Sequence, residues 1–454
     1  MRGSVSNEPT DETMSVPQRL ISLYASLGIE RAHIAVSRED DWRELVATHP
    51  EAVASLSLIC PNGVSLDAIM HIACPIRILH GEHASGLDSL REITAHHART
   101  SLDILAEYSG LLWSDIAADH PRELIRTVLA ASASSPIPHA PSSLPKEGEI
   151  YGITYRTCGE GPPLLLFPLA LAPSQWDPVL DALSAHFTVI LLGGAELGMV
   201  AYLEARGKCI GYRETVLRVL ERSHIDQACQ ILDIGCGTGV VTRLIAACCA
   251  KGAQITAVDV NTYFLSEARA LATRDDLDHI VEFLPGNAEM LDFAHDNFDL
   301  SFSITVMEEV RAKAMLSEMV RVTRPNGRVA VVVRAVDVPR VVNAPLPEKL
   351  KFRVETAPEF TPRAAVAGCA DVNLYRKFVD VGLEDVQIFP QLITYREPGR
   401  IDQMVRVIEA NLSREDKKMW RQTVETARDD GTFFIATPMH CAIGKVPNAG
   451  LGSL

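Results

Sequence analysis

A glycine-rich turn in the second half of the chain constrains the fold more than any other feature. In ILDIGCGTGVVTRLIA, residues 231–246, a β-type run contains Asp233, glycines follow at Gly235, Gly237 and Gly239, and an amphipathic helix begins. Glycine permits positive φ and close approach of a flat ligand, and a helix N-terminus offers N–H groups that lack partners within the helix. The segment therefore predicts a strand, turn and helix that bind a nucleotide-like molecule.

The spacing of the glycines restricts the kind of nucleotide. A dinucleotide fingerprint requires GxGxxG, whereas the spacing here is GxGxG and Val240 stands where the third glycine would fall. The next predicted strand, in QITAVDVN, ends at Asp259, twenty residues after Gly239. A carboxylate at that strand end can accept two hydrogen bonds from a ribose diol.

This pattern resembles motif I and the following segments of class I S-adenosylmethionine-dependent methyltransferases. The resemblance covers roughly residues 205–450 and continues through VEFLPGNAEML, FDLSFSITVMEEV and MVRVTRPNGRVAVVV, in the order of the family's third to fifth strands. It implies a Rossmann-like, seven-stranded α/β domain and S-adenosyl-L-methionine as cofactor. An ordinary tight turn explains a single GxGxG but not four ordered segments.

The resemblance also implies individual roles. Asp233 would lie near the methionine amino group of the cofactor, Asp259 would bind the ribose hydroxyls, and the Asn287 amide would accept a hydrogen bond from the adenine amino group. Asn287 stands where the family more often has Asp, and a simple turn residue is the alternative. The cofactor-binding residues implied are Asp233, Gly235, Cys236, Gly237, Gly239, Asp259, Val260, Asn287 and Ala288.

Two residues are candidates for catalysis in the predicted methyltransferase domain, which we place at residues 201–454. Methyl transfer is an in-line displacement that needs a general base only if the acceptor must lose a proton. Glu308 follows the fourth strand, near the transferred methyl in this family, although a solvated glutamate at a helix start is an alternative. His440 belongs to the last predicted hairpin, where a structural histidine is equally compatible. Tyr202 and Tyr212 could cap the ligand as a lid or simply pack.

The first part of the chain alternates strand-like apolar runs with helical patterns, which indicates a parallel sheet covered by helices. Residues 16–131 resemble the second half of an α/β-hydrolase and residues 150–200 resemble its first half. A Pro/Ser-rich linker, residues 132–149, joins them. We therefore predict one circularly permuted hydrolase-like domain, since two independent half-domains would leave exposed sheet edges.

The catalytic parts of a hydrolase are missing from this domain. Ser37 stands at the nucleophile position, but charged residues crowd it instead of the small neighbours that a strained nucleophile turn requires. The oxyanion segment reads FPLAL, the acid position falls at Ala84 and the histidine position near Ser114. We expect a non-catalytic module for docking, dimerisation or forming the substrate pocket.

Composition excludes some functions. The 454 residues carry a formal net charge of -15, which disfavours binding to nucleic acid. Ten cysteines without a CxxC pair favour a reducing compartment, and no run reaches the length of a membrane helix, so we expect a cytoplasmic protein. Residues 1–15 read as a disordered tail.

The expected function is methyl transfer to a small-molecule acceptor at O, N or C, in specialised metabolism, without a metal. The protein would bind neither nucleic acid nor a membrane, and its hydrolase-like domain could support a homo-oligomer or a protein partner. A scaffold protein with an idle methyltransferase fold is the alternative.

Overall fold

The computed structural model describes residues 14–61, 64, 66–109, 115–356 and 368–448. The chain divides into two compact units, Met1–Ala201 and Tyr202–Leu454. Residues 1–13 of the predicted tail and Ser114 lie outside the described residues.

The N-terminal unit alternates strands and helices, as its apolar pattern predicts. Its helices are α1 (Val16–Leu27), α2 (Glu39–Thr48), α3 (Leu66–Ile69), α4 (Leu87–His96), α5 (Ile116–Asp119), α6 (Pro121–Ala133) and α7 (Asp177–Ser184). Its strands are β1 (Ala32–Val36), β2 (Val53–Ile59), β3 (Ile76–Gly81), β4 (Thr100–Leu105), β5 (Glu147–Ile150), β6 (Ile153–Cys158), β7 (Pro163–Leu166) and β8 (Thr188–Gly193). Helix α8 (Gly198–Lys208) begins at the end of this unit.

These eight strands form one sheet in the order β4-β3-β2-β1-β7-β8-β6-β5. The six strands from β4 to β8 run parallel, while β6 pairs antiparallel with β8 and β5 antiparallel with β6. Pairing of His33 with Leu164 joins β1 to β7 at the middle of the sheet. Segments before and after the Pro/Ser-rich stretch therefore share one sheet.

Burial explains why the central strands are so apolar. Every residue of β1, β2 and β8 is buried, as expected for parallel strands covered by helices on both faces. Four elements of this unit, α3, α4, α5 and β4, were not predicted from the sequence. The helices α3 and α5 have only four residues each, and β4 is only partly buried and lacks a continuous apolar run. Residues 147–149, predicted as linker, belong to the edge strand β5, whose hairpin partner β6 satisfies its backbone.

The C-terminal unit has a second alternating pattern. Its helices are α9 (Ile210–Arg222), α10 (Val240–Cys248), α11 (Thr262–Arg274), α12 (Ala312–Val322), α13 (Glu348–Thr356), α14 (Leu374–Asp380), α15 (Arg400–Ala410) and α16 (Arg414–Asp429). Its strands are β9 (Gln230–Ile234), β10 (Gln254–Asp259), β11 (Val281–Pro285), β12 (Phe298–Ile304), β13 (Thr323–Arg334), β14 (Val341–Val342), β15 (Glu384–Tyr395) and β16 (Ile435–Lys445).

The second sheet has the order β11-β10-β9-β12-β13-β16-β14, and β15 also pairs with β16. The five strands from β11 to β13 are parallel, whereas β16 is antiparallel to its neighbours. Strand β9 therefore lies between β10 and β12, and the carboxyl ends of all three open at the same edge. Both sheets are mixed and mainly parallel, which confirms the predicted α/β class. The second sheet has eight strands instead of the predicted seven, because the two-residue strand β14 also pairs with β16.

Among the described residues, no helix combines the length and the apolar character needed to cross a membrane.

Candidate functional site

The predicted ligand turn connects β9 to α10 at the carboxyl edge of the second sheet. Its three glycines have positive φ angles of 72° at Gly235, 54° at Gly237 and 78° at Gly239, and α10 begins at the next residue. Residues with a Cβ adopt this left-handed region only at a cost. The backbone geometry therefore explains the three glycines.

Gly235 is also required by close packing. A Cβ built on Gly235 would lie 2.1 Å from Cγ2 of Val306, in the segment after β12. The N–H groups of Gly235 and Cys236 donate to the Val258 carbonyl at 2.7 and 3.0 Å, which fixes the turn to β10. Cys236 itself is buried. The turn is thus held between the ends of the neighbouring strands.

Asp259, at the end of β10, faces the same turn. Its Oδ2 accepts a hydrogen bond from the Gly237 N–H and its Oδ1 accepts one from the Asn261 N–H, both at 2.8 Å. Burial raises the pKa of the Asp259 carboxyl, and these backbone donors oppose that effect. An ionised carboxylate has about four acceptor positions, so two remain for a diol.

Asp233 is buried near the carboxyl end of β9. The side chain is 1% exposed, and its Oδ2 accepts a hydrogen bond from Thr242 Oγ1 at 2.6 Å. Burial raises its pKa to about 7, the Thr242 bond opposes this and the charge of Asp259 adds to it. A cation placed beside Asp233 would favour its ionised form.

The residues after β10 and β11, where the adenine is expected, have mixed surroundings, and they include Met290, which was not predicted from the sequence. Val260 and Met290 are apolar but 71% and 74% exposed, and they follow the adjacent strands β10 and β11. Asn287 is exposed, and its Oδ1 accepts the Glu289 N–H at 2.9 Å, while Ala288 is buried. The exposed Val260 and Met290 side chains offer apolar surface for a flat ring at this edge.

Glu308 is buried and ion-paired. It is 2% exposed, its Oε2 lies 2.5 Å from Nη1 of Arg334, and its Oε1 accepts the Arg334 N–H. Because a buried ion pair is costly to separate, this contact favours a positioning role over proton abstraction by Glu308. The catalytic role predicted for Glu308 stays a prediction.

His440 also has a defined partner. Its Nε2 lies 2.9 Å from Oδ1 of Asp337, and the histidine is 7% exposed on β16. Burial raises the pKa of the Asp337 carboxyl, but hydrogen bonds from His440 and from the Val372 N–H outweigh this and leave it lowered. The pair orients the imidazole, and the role predicted for His440 likewise stays a prediction.

A polar cluster behind the glycine turn was not predicted from the sequence. Glu204 on α8 is 7% exposed, accepts a hydrogen bond from Thr238 Oγ1 at 2.6 Å and pairs with Nη2 of Arg243 at 2.5 Å. Arg243 in turn donates to the Thr238 carbonyl at 2.9 Å. The cluster fixes the middle of the turn to α8 and α10. From the sequence, only Arg243 could have suggested this cluster, because it lies one turn into α10, the helix that follows the glycines.

The tyrosines predicted as a lid differ in exposure. Tyr202 on α8 is partly exposed, whereas Tyr212 on α9 is buried in the core. Arginines from α8 and α15 lie over the Tyr202 ring, a contact that the sequence did not predict. Packing therefore accounts for Tyr212 but not for Tyr202.

The residues at this edge fit S-adenosylmethionine. Two carboxylates suit its ammonium and ribose hydroxyls, the glycine turn is a cradle that a Cβ would obstruct, and exposed apolar side chains suit its adenine. The sheet and site define a Rossmann-like domain for a nucleoside-type cofactor.

Comparison with known proteins identifies the kind of enzyme. Residues 232–331 match the model of a family described as "Methyltransferase domain". The ubiquinone/menaquinone biosynthesis C-methyltransferase UbiE of Rhodopseudomonas palustris (strain HaA2) is 28% identical over 198 residues, covering 43% of this chain and 74% of that enzyme. The methyltransferase phqN of Penicillium fellutanum is 30% identical over 135 residues, covering 30% of this chain and 41% of that protein.

The structure of geranyl diphosphate methyltransferase in complex with S-adenosylmethionine is similar to 52% of this chain and 86% of its own, with 14% identity and a TM-score of 0.34. The family match places a methyltransferase domain in the C-terminal unit. The protein is an enzyme, an S-adenosylmethionine-dependent methyltransferase, and S-adenosylmethionine is its cofactor.

Proposed function

We propose that this protein transfers the methyl group of S-adenosylmethionine to a small-molecule acceptor in specialised metabolism. The observation that carries the proposal is the glycine turn of three positive-φ residues between the carboxylates of Asp233 and Asp259. The similarity to a C-methyltransferase of ubiquinone and menaquinone biosynthesis supports a small acceptor.

Different residues of the chain would bind different parts of the cofactor. Asp259 would accept hydrogen bonds from the ribose hydroxyls and would keep the hydrogen bond that it accepts from the Gly237 N–H. Asp233 would face the ammonium group. Val260 and Met290 would contact the adenine, with the Asn287 amide as a polar partner. When bound, the cofactor supplies an electrophilic methyl group on a sulfonium.

The acceptor's position follows from the sheet. The segment after β12 adjoins the glycine turn through Val306 and carries the ion-paired Glu308. His440, on β16, is paired with Val333 near the carboxyl end of β13, at the same edge of the sheet, and contacts Asp337. Side chains whose rotamers are fixed by such partners can orient an acceptor for in-line attack. The net charge of -15 argues against RNA or DNA as acceptor.

A transfer assay tests this function. Purified protein, S-adenosylmethionine labelled in the methyl group and a small-molecule extract should give labelled low-mass product. Label appearing only in protein or nucleic acid would contradict the small-molecule acceptor.

We further propose that the N-terminal unit is a circularly permuted hydrolase-like module. The parallel pairing of β1 with β7 supports this, because it joins the predicted second and first halves in a single sheet. Two separate half-domains would each expose the edge that this pairing covers.

The surroundings of Ser37 support a non-catalytic module for docking or dimerisation. Ser37 follows β1, is 8% exposed, and its Oγ donates to the Cys60 carbonyl at 3.4 Å. It is not among the described residues with positive φ, whereas a nucleophile turn holds its serine in a strained backbone. The nearby His80 bonds a backbone carbonyl instead of a serine.

A fluorophosphonate probe tests the hydrolase part separately. We expect no labelling of the wild-type protein at Ser37. Labelling that disappears in Ser37→Ala would contradict a non-catalytic module and would leave the methyltransferase proposal untouched.

A further inference from the structure

Three arginines converge on one phenol in the C-terminal unit. The guanidinium carbon of Arg206 lies 5.4 Å and that of Arg400 4.8 Å from the centre of the Tyr202 ring. Arg400 also lies 5.4 Å from the ring centre of Tyr395 and is only 7% exposed. Concentrated positive charge that is largely buried is costly unless an anion lies beside it.

The charged groups around this phenol come from four elements. Arg206 lies on α8, Arg334 on β13 and Arg400 on α15, and all three lower the pKa of Tyr202. Glu308, after β12, is ion-paired with Arg334. Burial raises the pKa of the neighbouring Glu309, and the charges of Arg334 and Arg206 oppose that rise. The buried carboxylate of Glu308 thus pairs with one of the three guanidinium groups, that of Arg334.

Tyr202 differs from the other tyrosines nearby. Burial opposes ionisation of Tyr202, but the charges of Arg400 and Arg206, a hydrogen bond from Arg400 and the charge of Arg334 together lower its pKa to about 7. Burial raises the pKa of Tyr212 to about 12 and also raises that of Tyr395. Only Tyr202 among these three can carry a negative charge near neutral pH.

The cluster adjoins the glycine turn through a chain of contacts. Arg206 Nη1 lies 3.4 Å from Oγ1 of Thr305, the residue that follows β12. The next residue, Val306, is the one whose methyl group packs against Gly235. Tyr202 as a whole residue is partly exposed. Arg206 therefore lies near the edge where the methyl group would be presented, and Arg400 lies over the same Tyr202 ring.

We propose that Tyr202 is the general base of the methyl transfer and that the acceptor is a weakly acidic hydroxyl compound, a phenol or an enol. The inference rests on the proposed function. Arg206 and Arg400 would both stabilise one negative charge, which lies first on the Tyr202 oxygen and then on the acceptor oxygen. No carboxylate or phosphate on the acceptor is needed to explain the arginines.

The atoms and charges of this step balance. The acceptor O–H bond breaks and its proton passes to the Tyr202 oxygen, which leaves an oxyanion beside the guanidinium groups. The oxyanion forms the O–CH₃ bond as the S–CH₃ bond breaks, and the bonding pair stays on sulfur as a neutral thioether. Tyr202 then releases the proton to water, which restores the starting charge.

Titration of tyrosinate absorbance in the full chain tests the base without any turnover. Wild-type protein should show one tyrosine ionising with a midpoint of about 7, absent from Tyr202→Phe and present in Tyr375→Phe, an exposed matched control. Arg400→Gln should move the midpoint up by at least about one pH unit, since it removes an adjacent positive charge. Absence of any tyrosinate below about pH 9 would overturn the proposal.

Binding of 4-nitrophenol, whose phenolate is coloured, tests the acceptor class. At about pH 6 the wild-type protein should increase the phenolate fraction of this probe in a saturable manner, and Arg206→Gln with Arg400→Gln should abolish the effect. No shift with wild-type protein would contradict an arginine-stabilised oxyanion.

Cofactor binding separates this inference from the proposed function. Tyr202→Phe should bind S-adenosylmethionine with the affinity of the wild type and lose transfer to hydroxyl acceptors. Equal transfer by Tyr202→Phe and wild type would overturn the base assignment alone. Failure of the wild type to bind the cofactor would instead overturn the proposed function.

Discussion

Gly235 and Val306 are in such close contact that a single added carbon on Gly235 would lie 2.1 Å from a Val306 methyl group. Gly235 starts the turn after β9, and Val306 lies two residues beyond the end of β12. The contact therefore links the proposed cofactor turn to the segment that leads to Arg206 and Glu308. In the proposed function, cofactor binding and acceptor positioning would share this contact.

Gly235→Ala should destabilise the C-terminal unit beyond the cost of its backbone conformation. Gly252→Ala is the matched control, because Gly252 also has positive φ but has nothing within 4 Å of an added Cβ. Overpacking at Val306 should lower the free energy of unfolding of Gly235→Ala by about 1–3 kcal/mol more than that of the control. Chemical unfolding checks this, and equal losses in both variants would contradict the packing explanation.

Asp259→Asn should weaken binding of S-adenosylhomocysteine by about 10-fold to about 100-fold, since hydrogen bonds to a charged acceptor contribute roughly 1.5–3 kcal/mol. Equilibrium dialysis measures the affinity. Asp292→Asn, at an exposed acid after β11, is the control and should bind as the wild type does. An unchanged affinity in Asp259→Asn would remove only the ribose assignment.

Asp233 should make the stability of the protein depend on pH. Burial raises its pKa to about 7 in the folded protein, against 3.8 for an ordinary aspartate. Between these values the folded state holds the extra proton, so this carboxyl makes the free energy of unfolding fall as pH rises from about 4 to about 7.

Asp233→Asn should remove that part of the pH dependence, which urea unfolding at several pH values will measure. The stability of the variant relative to the wild type should therefore rise across this pH range. Parallel pH profiles for the two proteins would show that Asp233 is not held in a protonated form.

The Glu204 cluster should couple α8 to the glycine turn. Because Glu204 is largely buried, replacing Arg243 leaves the Glu204 charge without this ion-pair partner and should cost about 3 kcal/mol or more. Replacing Glu204 should cost less, since Arg243 keeps its contact with Asp275. A double-mutant cycle of Glu204→Gln and Arg243→Met should give a coupling energy of about 0.5–3 kcal/mol in the free energy of unfolding. Additive effects would argue that the two side chains act independently.

The parts of the site that were predictable are local in sequence. The glycines of the turn and the acids Asp233 and Asp259 stand in a short strand, turn and helix pattern, whose steric requirements can be read directly from residue types. Strands such as β2 and β8 were predictable because full burial requires a continuous apolar run. Their positions in the sheets follow no such local rule.

The parts that were not predictable depend on distant segments. Tyr202, Arg334 and Arg400 are far apart in the chain and meet only through the sheet order, so no spacing reveals them. The partners of Glu308 and His440 were likewise hidden, because Arg334 and Asp337 come from the end of β13 and the residues that follow it. Half-buried β4 lacked the pattern that identified its neighbours.

Calorimetric titration of the 454-residue chain with S-adenosylmethionine measures whether the glycine turn binds this cofactor. We expect saturable binding of one molecule per chain, weakened at least about 10-fold in Gly235→Ala and retained in Gly252→Ala. A folded wild-type protein that binds neither S-adenosylmethionine nor S-adenosylhomocysteine would contradict this expectation.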